Sequence, residues 1–218
     1  MAGACDSVAG MRIALFGGTF DPPHRGHLAI ARAAADALEL ESVLFAPVGL
    51  QPLKENLTAT SFADRLAMVQ LACEADPRFQ ASNIDAPRTD GSPNYTVDTL
   101  AALKSQLPAA TIFNLVGADS FFSLRSWRDS QRLLDLADWI VVSRPGSPLD
   151  DLSALRLTKE ERGRIHLIET VHEEVSATDL RKRLDAGEDC GDLIPPQVAN
   201  YIQSHGLYRS AVKKLPLI

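Results

Sequence analysis

The stretch GGTFDPPHRGHL, residues 17–28, follows directly after the apolar run RIALF, residues 12–16. It places two glycines, two prolines and two of the chain's five histidines between a strand-like run and a helical pattern. At such a junction, an α/β sheet presents free backbone N–H groups and the positive end of a helix dipole to an anion. The stretch therefore predicts the first strand–turn–helix unit of an α/β fold, with a phosphate site at the turn.

The two histidines of this stretch are three residues apart, so both side chains are expected on one side of the first helical turn. Gly26, between His24 and His27, would leave room for a ligand beside the helix. Gly17 and Gly18 are expected to let the backbone turn sharply and approach a phosphate without a Cβ in the way. Taken alone, two histidines at this spacing more often lie on the surface or pack against neighbouring side chains. Their position between a strand, two glycines and a helix start instead favours binding of phosphoryl oxygens.

The turn matches neither of two common nucleotide-binding patterns. Gly17, Gly18 and Gly26 do not fit Gly-x-Gly-x-x-Gly, and the sequence has no Gly-Lys-Ser/Thr of a Walker loop. Two histidines could also begin a metal site, but no third ligand is evident nearby. Phosphate binding by the turn itself is the hypothesis that we carry forward.

Apolar runs of strand length alternate with helical patterns along the chain. This alternation predicts a Rossmann-like open parallel sheet with helices on both faces and a smaller helical C-terminal portion. Ligands bind such sheets beyond the carboxyl ends of the strands. The predicted strands cover residues 12–16, 42–47, 79–84, 111–117, 138–143 and 164–169, and the predicted helices cover residues 26–40, 61–75, 95–107, 176–187 and 195–206.

Local signals mark helix starts and the limits of the domain. Ser61 with Asp64, and Ser176 with Asp179, have the spacing of a capping box. We expect a flexible N-terminal extension, one nucleotide-binding domain and a short tail, which cover residues 1–10, 11–209 and 210–218.

The composition indicates a globular protein that we expect in the cytoplasm. Of the 218 residues, 45% are hydrophobic and 23% are charged, with a formal net charge of -6. That balance argues against a protein whose main work is binding nucleic-acid backbone, because such domains are usually basic. The three cysteines lie far apart and form no Cys-x-x-Cys pair, which favours reduced thiols. No run approaches the ~18 apolar residues of a membrane span, and the N-terminal residues do not resemble a signal peptide.

Several stretches resemble one enzyme family. GGTFDPPHRGH resembles the signature of the nucleotidyltransferase α/β-phosphodiesterase superfamily, whose His-x-Gly-His motif binds the phosphates of ATP. VSATDLRKRL resembles the second signature, Ser-x-Thr-x-x-Arg. SPNYTVDTL, VGADSFFSLRSW and IPPQVANYIQSHGLY are also similar to stretches of the bacterial nicotinate-nucleotide adenylyltransferases, in the expected order. The similarity runs from Arg12 to Tyr208.

This resemblance implies adenylyl transfer from ATP to nicotinate mononucleotide, giving nicotinate adenine dinucleotide and pyrophosphate in NAD biosynthesis. The 5′-phosphate of the substrate is the nucleophile, so the protein must align it with the α-phosphorus of ATP and neutralise charge on the leaving pyrophosphate. Mg²⁺ is expected to arrive on the triphosphate, without a dedicated protein cage. The implied partners are these two small molecules; nucleic acid and membrane are not expected, and a homo-oligomer is compatible with the sequence.

The two signatures are expected to bind ATP. The resemblance implies that His24, His27 and Arg181 are the catalytic residues, which bind the ATP phosphates as charge builds up on them. Ser176 also fits an ordinary N-cap, and both roles can hold at once. Arg144 follows the fifth predicted strand, where relatives contact the adenosine half, although a surface arginine is the commoner case. The expected ATP-binding residues are Gly17, Gly18, Thr19, Phe20, His24, Gly26, His27, Arg144, Ser176, Thr178 and Arg181.

The middle of the chain is expected to bind nicotinate mononucleotide. Trp127 resembles the aromatic platform on which the pyridine ring stacks, while a packed core tryptophan is the ordinary alternative. Tyr95 and Thr96 open a helix whose backbone N–H groups could receive the nicotinate carboxylate and so favour acid over amide. Asp119 could accept hydrogen bonds from a ribose. The expected residues on this side are Lys54, Tyr95, Thr96, Asp119 and Trp127.

The segment from Leu50 to Ser61 is the candidate lid over the substrate, because its composition is polar and irregular. Lys54 matches a lysine of many relatives, but Leu53 stands where those relatives often have a histidine. A solvated lysine is therefore nearly as well supported as a binding one.

Other interpretations stay open. The nearest is an adenylyltransferase that acts on nicotinamide mononucleotide or phosphopantetheine, and Trp127 with NYTVDTL favours a pyridine nucleotide over pantetheine. A non-catalytic nucleotide-binding regulator is a second alternative, which the intact signatures do not support. A dehydrogenase is third, and the missing glycine fingerprint argues against it.

Overall fold

A computed structural model describes residues 10–50, 60–143, 152, 155–168 and 175–209. Its centre is a six-stranded sheet in which all neighbouring strands run parallel. The strand order is β3-β2-β1-β4-β5-β6. The strands are β1 (Arg12–Gly18), β2 (Ser42–Pro47), β3 (Phe79–Ala81), β4 (Thr111–Gly117), β5 (Asp138–Val142) and β6 (Ile165–Ile168).

Helices connect and flank these strands. None of those within the described ranges is long and apolar enough to cross a membrane. A single turn of 3-10 helix covers Leu124–Ser126. The α-helices are α1 (Arg25–Ala37), α2 (Phe62–Cys73), α3 (Thr96–Gln106), α4 (Ala118–Phe122), α5 (Ser130–Leu136), α6 (Lys159–Gly163), α7 (Ala177–Asp185) and α8 (Pro196–Ser204).

The strands send alternate side chains into two apolar layers, as pleated strands do. On one face, Ala14 and Phe16 of β1 pack in a layer with α1, α2, α7 and α8. On the other face, Leu15 packs in a layer with α3, α4 and α5. The predicted Rossmann-like parallel sheet with helices on both faces is therefore confirmed.

Two of the predicted helix starts are fixed by serine caps. Ser61 Oγ accepts the backbone N–H of Asp64 at 3.1 Å, and Ser176 Oγ accepts that of Asp179 at 3.4 Å. Each bond satisfies a first-turn N–H that has no partner inside its own helix. The caps position α2 and α7, the two helices that contact the glycine turn.

The sequence analysis does not predict α4, α5 and α6. Each has only five to seven residues, too few for a helical period to show clearly. The strand β3 ends at Ala81, three residues before the predicted end. Residues 1–9, the connector 144–151 and residues 210–218 lie outside the described residues.

The order in which the chain adds strands to the sheet reverses at β1. Because β1 lies between β2 and β4, the chain builds the sheet outward on both sides of it. Such a reversal opens a crevice beyond the carboxyl ends of the two adjacent strands, where doubly wound sheets bind ligands. The glycines that end β1 and the Gly117 that ends β4 both lie at this crevice.

A buried carboxylate ties the turn between α2 and β3 to α1. Asp76 is 8% exposed and accepts hydrogen bonds from the backbone N–H and Nε of Arg78 at 3.0 Å and from its Nη2 at 2.8 Å. Arg78 also pairs with Asp36 of α1 at 2.7 Å. The side-chain hydrogen bonds from Arg78 hold the pKa of Asp76 well below its ordinary value.

We expect Asp76→Asn to lower the free energy of unfolding at pH 7 by about 1–3 kcal/mol, because it removes the charged acceptor. A carboxyl group whose pKa is lowered by folding stabilises the fold above its unfolded pKa near ~4 and loses that contribution as the pH falls. In urea unfolding, the difference between wild type and variant should therefore shrink from pH 7 to pH 3.

Asp179→Asn is the control for this measurement. Asp179 pairs at 3.4 Å with Lys182 on an exposed surface, so its loss should change stability by less than about 0.5 kcal/mol. A difference for Asp76→Asn that grew toward acid pH would contradict the assigned role.

Candidate active site

A cavity of about 220 Å³ lies in the crevice beyond β1 and β4. Gly17 and Gly18 form one wall, and the start of α3, with Tyr95 and Thr96, forms another. Trp127 lines the same cavity. Residues predicted to bind the pyridine nucleotide thus meet the end of β1 in one concave site.

The glycine turn differs from the expectation in one respect. Gly17 and Gly18 do not make the sharp turn; they are the last residues of β1 and are paired with β2. The left-handed residue is Phe20, with φ 50°. A Cβ on Gly18 would lie 2.9 Å from Phe20 Cζ, so the missing side chain lets that ring fold against the strand end. At Gly17 a Cβ would meet nothing within 4 Å, which leaves its backbone open to the cavity.

The two histidines lie ring to ring at the start of α1. The centroids of His24 and His27 are 3.7 Å apart with an interplanar angle of 27°. The backbone N–H of His24 donates to His27 Nδ1 at 3.2 Å. Because Nδ1 accepts that bond, the neutral ring of His27 carries its proton on Nε2. Phe20 packs edge-on against His27 at 4.9 Å and holds the ring in place.

Asp21 joins the turn to two distant parts of the chain. Its side chain is buried, and Oδ1 accepts hydrogen bonds from Thr60 Oγ1 at 2.7 Å and from the Tyr208 hydroxyl at 2.6 Å. Its backbone carbonyl accepts a bond from Arg181 Nη1 at 2.8 Å. Burial, together with the hydrogen bond to Asp21, raises the pKa of Tyr208, so this hydroxyl stays a donor.

A buried arginine supports the turn from below. Arg65 of α2 is 1% exposed, and its Nη1 donates to the backbone carbonyl of Thr19 at 2.9 Å. Burial lowers the pKa of Arg65, and the charge of Asp21 opposes that shift. The backbone carbonyl of Thr19, the residue before Phe20, is thereby held in place by a buried guanidinium.

The second signature reaches the same turn. Arg181 lies on α7, where its Nη2 donates to Thr178 Oγ1 at 3.2 Å while Nη1 bonds to Asp21. Ser176 caps the helix, and both Ser176 and Thr178 are exposed at its N-terminus. The structure therefore brings together the two signatures, which are about 160 residues apart in sequence.

Three of the residues predicted to bind the pyridine nucleotide, Tyr95, Thr96 and Trp127, line the cavity on the other side of the β1 end. Trp127 is half-buried, and its Nε1 donates to Ser123 Oγ at 3.0 Å. Its ring meets Trp139 edge-on at 6.1 Å, so one face is supported while the ring still lines the cavity. Asp119, in the first turn of α4, is exposed, and it does not line this cavity.

A polar wall closes the cavity beside α3. Asp85 Oδ1 accepts a hydrogen bond from Thr99 Oγ1 at 2.8 Å, and burial raises the pKa of this aspartate. Asn94 exchanges bonds of 2.9 Å with the backbone of Leu50. The start of the candidate lid is thus tied to the cavity wall.

The guanidinium of Arg128 sits over the ring of Tyr95, 4.5 Å from its centroid. Arg128 also lines the cavity and is exposed. Among the described residues it forms no ion pair, so its positive charge is available to an anionic ligand at the rim.

Two predicted binding residues, Lys54 and Arg144, lie outside the described residues, as does most of the candidate lid. Within the described ranges, no group of three or more histidine, cysteine or acidic residues could hold a metal ion. The roles assigned to individual residues, and the expectation of Mg²⁺, stay predictions.

The sequence analysis did not single out Arg65 or Tyr208. A signal existed for Arg65, because it falls on the same helical stripe as the buried residues Met68, Val69 and Ala72. A charge on an apolar stripe predicts a buried partner, although not which one. Tyr208 carries no comparable local signal.

Comparisons with known proteins match this chain to one family. The cytidylyltransferase-like family matches residues 15–183. "Probable nicotinate-nucleotide adenylyltransferase" of Corynebacterium jeikeium (strain K411) is 38% identical over 199 residues, 89% of this chain and 99% of the relative. The chain belongs to the nicotinate-nucleotide adenylyltransferase family. A second family member of that name, from Neisseria meningitidis serogroup B (strain ATCC BAA-335 / MC58), is 40% identical over 201 residues, 90% of this chain and 98% of the relative.

Solved structures of the family share the fold. Plasmodium falciparum nicotinic acid mononucleotide adenylyltransferase complexed with NaAD aligns with a TM-score of 0.73 and 20% identity, covering 91% of this chain and 97% of that one. The same protein complexed with APC aligns with a TM-score of 0.71. At this identity the likeness concerns the fold, which is the one that the sequence predicts.

We expect Tyr208→Phe to lower kcat by about tenfold while KM for each substrate stays within about twofold. The variant keeps the ring but removes the hydroxyl that bonds to Asp21. The turn should therefore be held less firmly, while the groups expected to contact the substrates remain present. Steady-state kinetics in both substrates would measure this split.

Tyr201→Phe is the matched control. The Tyr201 hydroxyl also donates to a carboxylate, Asp64 Oδ1 at 3.0 Å, but that residue is not in the glycine turn. Equal loss of kcat in the two variants would mean that the C-terminal tyrosines act only through general stability.

Proposed function

We propose that the protein transfers the adenylyl group of ATP to nicotinate mononucleotide and releases pyrophosphate, as a nicotinate-nucleotide adenylyltransferase of NAD biosynthesis. One observation carries this assignment beyond family membership. The stacked histidines, with Arg181 tied to the same turn, lie on one side of the β1 end, and a cavity lined by Trp127 lies on the other. A phosphate-binding half and a ring-binding half thus meet where the two substrates must react.

The chemistry requires no nucleophile from the protein. An oxygen of the substrate's 5′-phosphate attacks the α-phosphorus of ATP, and the bond from that phosphorus to the bridging oxygen of pyrophosphate breaks. Alignment and charge neutralisation are the main contributions that a protein can make to such a transfer. A site made of backbone N–H groups, imidazoles and one guanidinium suits that task.

We assign the leaving pyrophosphate to the donors of the two signatures. His27 would donate from Nε2, because its Nδ1 is occupied by the backbone N–H of His24. Arg181, fixed at its Nη1 by the Asp21 carbonyl, would add a positive charge. Backbone N–H groups at the N-terminus of α7 would complete the set.

Mg²⁺, when bound on the phosphates, would neutralise part of their charge. The imidazoles, the guanidinium and the backbone N–H groups are donors for phosphate oxygens, so the ion would be held by the phosphates that it accompanies. Its remaining coordination would come from water and phosphate oxygens.

The cavity side is assigned to the pyridine half of nicotinate mononucleotide. Trp127 offers a flat face whose indole is held by Ser123 and backed by Trp139. The α3 N-terminus, at Tyr95 and Thr96, would favour a carboxylate over an uncharged amide. We also expect the protein to be located in the cytoplasm. A homo-oligomeric state is compatible with this proposal.

The first test is pyrophosphate release from ATP and Mg²⁺ with nicotinate mononucleotide, nicotinamide mononucleotide or phosphopantetheine. We expect strong turnover with the nicotinate form, and a kcat lower by about 10²–10³ in His27→Ala, because one donor to the developing charge is lost. His205→Ala, which removes an exposed histidine at the end of α8, should leave kcat unchanged.

Three outcomes separate the alternatives. Equal use of acid and amide would keep the adenylyl transfer but remove the selectivity assigned to α3. Preference for phosphopantetheine would move the protein to a different substrate class. No release with any of the three would favour a nucleotide-binding regulator.

A further inference from the structure

Asn114 is a polar residue in the middle of an otherwise apolar strand. It lies in β4, whose sequence is TIFNLVG, and is 2% exposed. In the sheet register it is opposite Leu15 of β1 and Trp139 of β5. These neighbours are apolar core residues, so the sheet alone gives no reason for an amide at this position.

The Asn114 side chain has an unused donor. Its Nδ2 has no hydrogen-bond partner among the described residues. A buried amide without a partner destabilises the fold relative to an apolar residue of similar size. The same residue lines the cavity beside Trp127, so an occupant of that cavity can provide the missing acceptor.

The neighbouring Trp139 does not provide it. Its indole Nε1 is a donor only and is itself buried without a partner among the described residues. Two donors cannot satisfy each other. Asp85, a carboxylate that lines the same cavity, is bonded to Thr99 on the α3 side, and Asn114 Nδ2 makes no hydrogen bond to it.

The cavity also selects the kind of occupant. Trp127 offers a flat stacking face, and Arg128 places a positive charge at the rim. An aromatic ring that carries an acceptor group, with net negative charge, fits a site with these features. A carboxylate presents an acceptor oxygen in either orientation about its bond to the ring, whereas a carboxamide presents an N–H₂ group in one of the two.

We propose that Asn114 is a specificity-determining residue, whose Nδ2 donates to the carboxylate of the nicotinate ring while that ring stacks on Trp127. This inference rests on the proposed function and adds a residue that selects the substrate from the floor of the cavity. It makes the acid preference depend on a side chain as well as on the α3 N-terminus.

Two substitutions test the proposal. Asn114→Leu keeps the size but removes the donor, and we expect KM for nicotinate mononucleotide to rise about tenfold with kcat and the KM for ATP within about twofold. Asn114→Asp places a negative acceptor at the same position. It should repel the acid and accept from the amide, shifting the ratio of kcat/KM for nicotinate over nicotinamide mononucleotide at least about tenfold toward the amide.

The ratio in Asn114→Asp is measured on one enzyme preparation, so it does not depend on the fraction of folded protein. Ser42→Ala is the matched control, because Ser42 is also a buried strand residue whose Oγ has no partner among the described residues, but it is the first residue of β2 and does not line the cavity. It should leave the ratio and both KM values unchanged.

Each outcome decides the proposal. An unchanged ratio in Asn114→Asp, with active wild-type enzyme, would overturn the role of Asn114 and leave the proposed function intact. Equal loss for both substrates in both variants, with a lower melting temperature, would make Asn114 a structural residue only. Absence of turnover in the wild type would overturn the proposed function and this inference together.

Discussion

The hydrogen bonds to Asp21 hold the rest of the site in place. Its carboxylate and carbonyl receive donors from Thr60 before α2, from Arg181 on α7 and from Tyr208 after α8. A loop that lies between a strand and a helix has few local partners of its own. Two of the three donors, Arg181 and Tyr208, come from parts of the chain more than 150 residues away, so the hydrogen bonding of the turn is complete only when the C-terminal segment has packed against it. The geometry of the turn therefore depends on contacts with the C-terminal segment of the domain.

β1 separates two groups of site residues, one on each face of the sheet. Helices α1 and α7 lie on one face of the sheet and bring imidazole and guanidinium donors, while α3 and the Trp127 segment lie on the other face and form the ring cavity. Gly17 and Gly18, at the end of β1, lie between the two, and in the proposed reaction they would leave the backbone there open to a phosphate. The protein carries a net charge of -6, yet these donors make the site locally attractive to anions.

The sequence was sufficient where a local pattern determines the structure. The bounds of β2 and β4 agree with the apolar runs at 42–47 and 111–117, and the spacing of His24 and His27 predicts neighbouring rings. It was insufficient where the conformation or role of a residue depends on tertiary contacts. Phe20 is left-handed because its ring packs against Gly18 and His27, and Tyr208 matters because Asp21 is beside it. The partners of Phe20 are near in sequence, but their packing against its ring is not readable from the letters, and no window of sequence around Tyr208 contains Asp21.

The bond from the His24 N–H to His27 Nδ1 also determines what kind of donor His27 would be in the proposed reaction. A doubly protonated imidazole would carry hydrogens on both nitrogens and could not accept this bond, so the start of α1 is built for the neutral ring. Such a ring can donate from Nε2 without bringing a charge. In the proposed reaction, compensation of the charge on pyrophosphate would then come from Arg181 and from a cation carried by the phosphates. Because the same arginine bonds to the turn that orients His27, the directional donor and the charge are fixed relative to each other through Asp21.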